Sequence, residues 1–354
     1  MRQVAAFLAV LVSLVSSANG WAPQQPQPVA TLALSQLLPP GSAASIWGAV
    51  TFVSDGSVAV GVCRAPGSTE CSLSLIHAKD GVLRPFAETR DLHGMQLHRF
   101  PGGQIVTVPS GEGPATLYSP NLSARQTLFP LDHISNSGGI VAASTRSGWA
   151  LFDTKLKAIR NGNGSLRSVS DGVVVFQSGV TMRVEATDGK PLGAFPVPSE
   201  AKCYNTAEIA GDRRLYLDNC KSIRMVDFNG ETELTLQRPK GYCDQPSQFD
   251  RWSAEGKRVV FDCSSRKVSF LRGLVDLIHS ISSLGMCCEE WGNREEVRVV
   301  DVTNGKTCFD WIRPVAMGTE PFVRTIAISP SGEFVAILAD GLLALYRLPA
   351  VCNQ

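Results

Sequence analysis

The chain has 354 residues, of which 44% are hydrophobic and 18% charged, a balance typical of a folded globular protein and not of a disordered one. Lysine and arginine (33) nearly equal aspartate and glutamate (32), so no long-range electrostatic field favours nucleic acid or an anionic membrane as partner. Composition therefore argues against nucleic-acid binding and leaves both an enzyme and a binding protein open.

The N-terminus has the three parts of a secretory signal peptide. Arg2 supplies a positive charge, residues 4–15 form an apolar core, and residues 18–20 (Ala-Asn-Gly) offer small side chains before a cleavage site at Trp21. The apolar core is shorter than the ~20 residues that span a bilayer, which favours cleavage over anchoring. Residues 1–20 are therefore predicted to be removed, with the mature protein periplasmic or extracellular and without a membrane anchor.

A Pro- and Gln-rich linker is predicted at 21–28, and a repeated turn phrase follows it. Each copy reads as an apolar strand, a polar turn that contains glycine, and a second apolar strand. The copies lie at 52–60, 100–108, 134–144, 169–177, 209–218, 253–262 and 328–338. A period of about 40 residues with this content predicts a β-propeller.

Most repeats have a second hairpin centred on Asp-Gly or Asn-Gly, which supply the positive φ angles that tight turns require. These hairpins lie at 73–86, 180–195, 222–236 and 297–311. Alternation with period two on both sides of the turns predicts strands. We therefore predict an all-β protein, a seven-bladed β-propeller of four-stranded antiparallel blades over residues 29–350.

Two features depart from the regular repeat. The last repeat offers only three strands, so the apolar segment 29–38 is expected to supply the fourth and to close the ring. The sixth repeat carries an insertion at about 268–294. Its apolar residues follow helical spacing: Leu271, Leu274, Val275, Ile278 and Ile281. This predicts a short helical insertion, either a cap pinned by a disulfide or a docking element or lid over the channel.

The turns VDVTNGK (300–306) and EATDGK (185–190), with the N-terminal closing strand, resemble those of exported bacterial seven-bladed propellers of the YVTN or WD-like class. The resemblance covers residues 29–350 and is one of pattern, since the chain has no Trp-Asp dipeptide. It implies the propeller fold and recognition of a partner. It does not identify the ligand, because propellers bind partners of many kinds.

Ten cysteines in an exported chain predict disulfides. Four bridges are expected: Cys63–Cys71, Cys203–Cys220, Cys243–Cys263 and Cys308 with Cys288 or Cys287. Cys352 is expected to take whichever of Cys287 and Cys288 remains. No C-x-x-C pair occurs, and the five histidines show no ligand spacing with the cysteines, so no metal or cofactor is predicted. His93 and His98, five apart, are interpreted as loop histidines.

The hairpin loops and the links between blades are predicted to meet a ligand on one face of the ring. Links are expected at 88–97, 239–250 and 312–322. The candidate ligand-binding residues are Arg64, Glu70, Glu112, Arg146, Tyr242, Asp244, Trp252 and Arg266. No G-x-S-x-G or P-loop motif is present, so no catalytic residue is assigned.

The predicted function is non-catalytic recognition of a protein or surface polysaccharide by a monomer. The alternative is a propeller hydrolase or lyase that acts on carbohydrate through carboxylates at the channel mouth. A quinone dehydrogenase is less favoured, because the six tryptophans form no repeated motif. Two sequons, Asn121-Leu-Ser and Asn163-Gly-Ser, are placed in turns and are glycan acceptors only in a eukaryotic secretory route.

Overall fold

The computed structural model describes residues 26–37, 47–63, 71–79, 81–90, 92, 96–109, 113–131, 133–134, 139–145, 148–170, 172–197, 207–210, 214–218, 222–237, 242–243, 253, 257–266, 293–314, 325–339 and 341–352. These residues form seven antiparallel sheets of four strands each. The prediction of an all-β seven-bladed propeller is therefore confirmed.

Strands are numbered in chain order, and each blade is given from its first strand to its last. Strand β1 (Ala30–Ala33) precedes a 3-10 helix, Leu34–Gln36. Blade 1 contains β2 (Trp47–Ser54), β3 (Ser57–Cys63), β4 (Cys71–Lys79) and β5 (Val82–Thr89). Blade 2 contains β6 (Gln96–Phe100), β7 (Gln104–Val108), β8 (Thr116–Tyr118) and β9 (Arg125–Thr127). Blade 3 contains β10 (His133–Ile134), β11 (Ile140–Thr145), β12 (Gly148–Asp153) and β13 (Ala158–Asn163).

The remaining blades follow the same plan. Blade 4 contains β14 (Ser165–Ser170), β15 (Val173–Ser178), β16 (Thr181–Ala186) and β17 (Pro191–Pro196). Blade 5 contains β18 (Ala207–Ala210), β19 (Arg214–Asp218), β20 (Ser222–Val226) and β21 (Thr232–Gln237). Blade 6 contains β22 (Tyr242–Cys243), β23 (Arg258–Arg266), β24 (Asn293–Asp301) and β25 (Lys306–Pro314). Blade 7 contains β26 (Thr325–Ile328), β27 (Phe334–Ala339) and β28 (Leu342–Arg347), with β1 as its fourth strand.

Both faces of a blade are buried, because side chains alternate across each strand. In β15, Val174 and Phe176 pack toward blade 3, whereas Val175 packs toward blade 5. First strands of neighbouring blades contact each other, as β2 does with β6 and with β26. The first strand of each blade is therefore the innermost one.

Each of the apolar clusters formed by described residues lies between two consecutive blades. They join blades 1 and 2, 2 and 3, 3 and 4, 4 and 5, 5 and 6, and 6 and 7. A further cluster joins blade 7 to blade 1 and contains Phe52, Val60, Leu338 and Leu345. Among the described residues, every blade thus contributes buried apolar side chains to a cluster on each of its two sides.

Strand β1 is the outer strand of blade 7. It pairs antiparallel with β28, with Ala30 opposite Leu345 and Leu32 opposite Leu343. The side chain of Leu32 is 6% exposed and belongs to the cluster between blades 7 and 1. Blade 7 therefore contains strands from both ends of the described chain, and its apolar core depends on residues that are far apart in sequence.

We predict that Leu32→Ala lowers the free energy of unfolding by roughly 2–5 kcal/mol, because it leaves a cavity in the cluster between the first and last blades. Thr31→Ala is the matched control, since Thr31 is exposed on the same strand. Urea denaturation of both variants is the measurement. Equal stability of Leu32→Ala and Thr31→Ala would show that β1 does not contribute to this core.

The chain beyond β28 returns from blade 7 to blade 6. Arg258 of β23 donates from Nη1 to the carbonyl oxygen of Gly332 (2.6 Å) and from Nη2 to that of Pro349 (2.6 Å). Cys352 forms a disulfide with Cys308 of β25, with a Cα–Cα distance of 4.4 Å. The tail is therefore fixed to the blade that precedes its own, by carbonyl contacts and by a covalent bond.

This disulfide corrects the prediction that Cys308 pairs with Cys288 or Cys287 and that Cys352 takes the other. Cys308 lies near the start of β25, whereas the insertion leaves blade 6 beside the other end of that strand, where Arg294 pairs with Pro314. At about 3.3 Å per residue these ends are about 20 Å apart, whereas the segment after β28 brings Cys352 directly beside Cys308. Proximity in sequence was therefore the wrong guide to this pairing.

We predict that Cys352→Ser lowers the free energy of unfolding by roughly 2–4 kcal/mol under oxidising conditions, because the bridge restricts the unfolded chain. Cys308→Ser and the double variant should lose the same amount, since either change removes the same bond. Urea denaturation without reductant measures this. Additive losses in the double variant would contradict a shared bridge.

The predicted insertion at 268–294 lies outside the described residues, apart from Asn293 and Arg294. These two residues open strand β24, so the insertion ends before them. The last pair between β23 and β24 is Arg266 with Asn293. Residues 267–292 therefore connect two positions that are directly opposite each other in the sheet. Within the described residues, no helix has the length and apolar character that a membrane span requires.

Candidate recognition face

The antiparallel order of the strands sorts all connections to two ends of the ring. Connections between second and third strands, and links between blades, reach one end, which we call the loop face. Connections between first and second strands, and between third and fourth strands, reach the other, which we call the turn face. The second-to-third connections are 64–70, 109–115, 146–147, 179–180, 219–221, 267–292 and 340–341.

On the turn face, serines organise the first turns of blades 6 and 7. The backbone N–H of Arg258 donates to Oγ of Ser253 (3.1 Å), and that of Phe334 donates to Oγ of Ser329 (3.0 Å). Gly332 adopts φ 76°, a conformation that favours glycine. The serine and glycine of these phrases thus close turns and are not free to bind a ligand.

Aspartates organise two of the second turns on the same face. Oδ1 of Asp153 accepts from the backbone N–H groups of Lys155 and Lys157, each at 2.9 Å. Oδ1 of Asp227 accepts in the same way from Asn229 and Glu231. The hydrogen bond from Glu231 is the main cause that lowers the pKa of Asp227 below its ordinary value. These carboxylates satisfy backbone donors of their own turns.

On the loop face, blade 1 has a covalently closed hairpin. Cys63 at the end of β3 and Cys71 at the start of β4 are joined by a disulfide. Beside it, Oγ of Ser72 donates to the carbonyl oxygen of Leu37 (3.4 Å), which ties blade 1 to the segment that follows β1. The connection 64–70 therefore leaves from two fixed residues.

Blade 6 supports the longest of the second-to-third connections. Strands β23 and β24 each have nine residues and stay paired up to Arg266 and Asn293. Glu296 is the fourth residue of β24, and its buried carboxylate accepts a hydrogen bond from Nη2 of Arg298. The same Nη2 also donates to Oδ2 of Asp310 on β25 (3.2 Å). This network stiffens the third and fourth strands of blade 6 below the loop face.

Two buried polar atoms of that network, Nε of Arg298 and Oδ1 of Asp310, have no hydrogen-bond partner among the described residues. Arg298 thus contacts a carboxylate on its own strand and one on the neighbouring strand. Elsewhere, the partly buried carboxylate of Glu185 is paired with Arg160. The carboxylates of Glu185 and Glu296 are thus each paired with an arginine, whereas glycoside hydrolysis uses two carboxyl groups that face the substrate.

None of the eight predicted ligand-binding side chains falls within the described part of the structure. Arg64, Glu70, Glu112, Arg146, Asp244 and Trp252 lie outside it. Tyr242 and Arg266 belong to strands β22 and β23, but their side chains are not described. By chain position, the first four belong to second-to-third connections and Arg266 ends β23, so these five belong to the loop face.

The link predicted at 239–250 is contradicted in part, because Tyr242 and Cys243 form strand β22. Asp244 and Trp252 then fall between the first two strands of blade 6, and not between blades. Cys243 lies directly opposite Cys263 in the ladder, at the spacing that a disulfide requires. Their side chains are not described, and this bridge stays a prediction. Cys203 and Cys220 lie outside the described residues.

One group of potential metal ligands occurs in the described residues: Asp301, Cys308 and Cys352. The two sulfur atoms are bonded to each other, so they cannot act as thiolate ligands in this state. The carboxylate of Asp301 accepts from the backbone N–H of Thr303 (2.8 Å). The three residues therefore form the attachment of the chain end and not a metal site.

His98 is a strand residue and not the loop histidine that we predicted. It lies in β6 on the same side as Phe100, which packs toward blade 3, and its side chain is 8% exposed. Burial lowers its pKa from 6.5 to about 4. Its spacing from His93 gave no sign of this, since burial depends on the neighbouring blade. His93 lies outside the described residues.

Comparisons with known proteins support the fold. No protein-family model matches the chain, and no curated protein matches its sequence. A solved structure of KlHsv2 with loop 6CD replaced by a Gly-Ser linker aligns with 87% of this chain and 98% of its own, at 12% identity and a TM-score of 0.50. A chain of the Mitotic Checkpoint Complex aligns over 94% of both chains, at 13% identity and a TM-score of 0.52. At this identity the likeness establishes the propeller fold alone.

We predict that protonation of His98 destabilises the fold in acid. Because its folded pKa lies below its unfolded value, stability is complete above pH 6.5 and falls as the pH drops toward 4. Between pH 7 and pH 4 the wild type should lose on the order of 2–3 kcal/mol more than His98→Gln, which stays neutral. Urea denaturation across this range measures it. Parallel curves for the two proteins would contradict the prediction.

Proposed function

We propose that this protein is an exported, non-catalytic, monomeric scaffold that recognises a protein or a surface polymer through its loop face. The observation that carries the proposal is the difference between the two ends of the ring. Apart from the connection 244–257 of blade 6, the turns on the turn face are short, and several use their own serines and aspartates to satisfy backbone groups. Connection 267–292 and the disulfide-closed 64–70 both leave from the loop face.

Rigidity of the frame supports recognition, because loops on a rigid scaffold lose less freedom when they bind. Arg64, Glu70, Glu112, Arg146 and Arg266 are proposed to contact the partner from the loop face. Tyr242 belongs to the innermost strand of blade 6, and Asp244 and Trp252 belong to the connection after it, which reaches the turn face, so these three are left out of the proposed loop-face contact surface. The likeness to a chain of a multiprotein complex supports a protein partner at the level of fold.

Export is supported by the N-terminal sequence and by the disulfides. Residues 1–25 lie outside the described part of the structure, so the signal peptide stays a prediction. The bridges Cys63–Cys71 and Cys308–Cys352 are of the kind that persists in oxidising compartments. A periplasmic or extracellular location is therefore proposed. The pattern-level resemblance to exported bacterial propellers of the YVTN or WD-like class agrees with it.

The proposal is tested by chemical cross-linking of the tagged mature protein in an extracytoplasmic extract, followed by mass spectrometry. Arg146→Glu and Lys155→Glu form a matched pair of charge reversals. They lie in blade 3 on connections to the loop face and the turn face, respectively. We expect Arg146→Glu to reduce capture of the partner severalfold and Lys155→Glu to leave it unchanged.

A second variant tests the longest connection. Because Arg266 pairs directly with Asn293, residues 267–292 can be replaced by a two-residue Asn-Gly turn without changing the register. Loss of capture with an unchanged thermal unfolding curve would support a docking role for that segment. Loss of capture through Lys155→Glu would place the binding surface on the turn face and contradict the proposal.

The alternative function is a carbohydrate hydrolase or lyase. It requires at least two carboxylates that converge on the channel mouth. The described carboxylates of Glu185 and Glu296 are paired with arginines instead. Release of reducing ends from a polysaccharide by the purified protein, lost in loop-face carboxylate variants such as Glu112→Gln, would favour this alternative.

A further inference from the structure

The two sequons occupy different ends of the ring. Asn121 lies in the connection between β8 and β9, which reaches the turn face of blade 2. Asn163 is the last residue of β13, opposite Gly148, where the chain passes through Gly164 into blade 4. That link lies on the loop face. Asn163 is therefore a strand residue beside the proposed recognition surface, and not the turn residue that the sequence predicted.

The amide of Asn121 has a fixed orientation. Its Oδ1 accepts from Oγ of Ser119 (2.9 Å), from the backbone N–H of Ser123 (3.2 Å) and from Oγ of Ser123 (2.7 Å). A side-chain amide has one acceptor end and one donor end. Because Oδ1 accepts three hydrogen bonds from this turn, Nδ2 is directed to the opposite side. No described residue accepts a hydrogen bond from Nδ2, and Asn121 is exposed. Nδ2 is thus presented to solvent.

The middle residue of this sequon anchors the turn. Leu122 adopts φ 58°, and its side chain is 6% exposed within the cluster between blades 1 and 2. The backbone N–H of Leu122 donates to the carbonyl oxygen of Ser119 (2.9 Å). Asn121 and Ser123 therefore point outward together, with the serine hydroxyl held against the asparagine amide. No comparable side-chain hydrogen bond joins Asn163 to Ser165 among the described residues.

We propose that Asn121 is an acceptor site for N-linked glycan, a modification that rests on the proposed export and requires a eukaryotic-type secretory route. Nδ2 forms a bond to the anomeric carbon of a lipid-pyrophosphate-linked oligosaccharide. The bond from that carbon to the phosphate oxygen breaks, the lipid pyrophosphate leaves with the electron pair, and Nδ2 releases one proton to base. A glycan there covers the turn face and leaves the loop face open to a partner.

The test is translation of the full chain in the presence of endoplasmic-reticulum microsomes. Entry into the lumen is measured by protection from added protease. Glycosylation is measured as a shift in electrophoretic mobility that an endoglycosidase reverses. A second version carries a signal sequence of proven function in place of residues 1–20. Entry by the second version alone would contradict the predicted native leader, but it would still test the acceptor. Failures of export and of modification are thereby distinguishable.

Each attached glycan slows the protease-protected chain by one step in electrophoretic mobility. We expect Asn121→Gln and Ser123→Ala each to lose one such step. Asn163→Gln, the matched control, should keep that step, and Ser123→Thr should also keep it because the hydroxyl is retained. Asn121→Gln that migrates like the wild type, in protein shown to be in the lumen, would overturn the proposal. A step lost in Asn163→Gln alone would overturn it as well.

Discussion

Burial of both faces of every blade is the constraint on which this structure depends. Alternation along each strand sends apolar side chains to both sides of a sheet, as Val174 and Val175 show, and a single blade cannot cover either side by itself. Each core is therefore shared between two blades, and blade 7 must meet blade 1 for both to be covered. The ring is the arrangement in which no such face remains in water.

The same arrangement places several structural polar groups at one end of the ring. Connections at one end use Ser253, Ser329 and Asp227 to satisfy backbone donors, so these side chains are committed to the fold. Connections at the other end start from fixed points such as the Cys63–Cys71 bridge and the paired residues Arg266 and Asn293. In the proposed function, recognition therefore uses the end of the strands opposite to these structural turns.

Both ends of the described chain are fastened near blade 7. Strand β1 completes that blade through its ladder with β28 and through Leu32 in the shared core. The tail beyond β28 is held on blade 6 by Arg258 and by the Cys308–Cys352 bridge. One attachment uses backbone pairing and apolar burial, and the other uses a covalent bond whose persistence depends on an oxidising environment. The fold and the proposed export are therefore consistent with each other.

The blades could be predicted from the amino-acid sequence, because strand alternation and Ser-Gly or Asp-Gly turns depend on neighbours along the chain. The turn phrase at 52–60 forms the hairpin β2–β3, and the predicted second hairpin at 297–311 forms β24–β25. Three properties could be read only from the folded ring: the blade that covers His98, the partner of Cys308, and the face on which each sequon lies. These properties depend on contacts between residues far apart in sequence, and local periodicity carries no information about such distances.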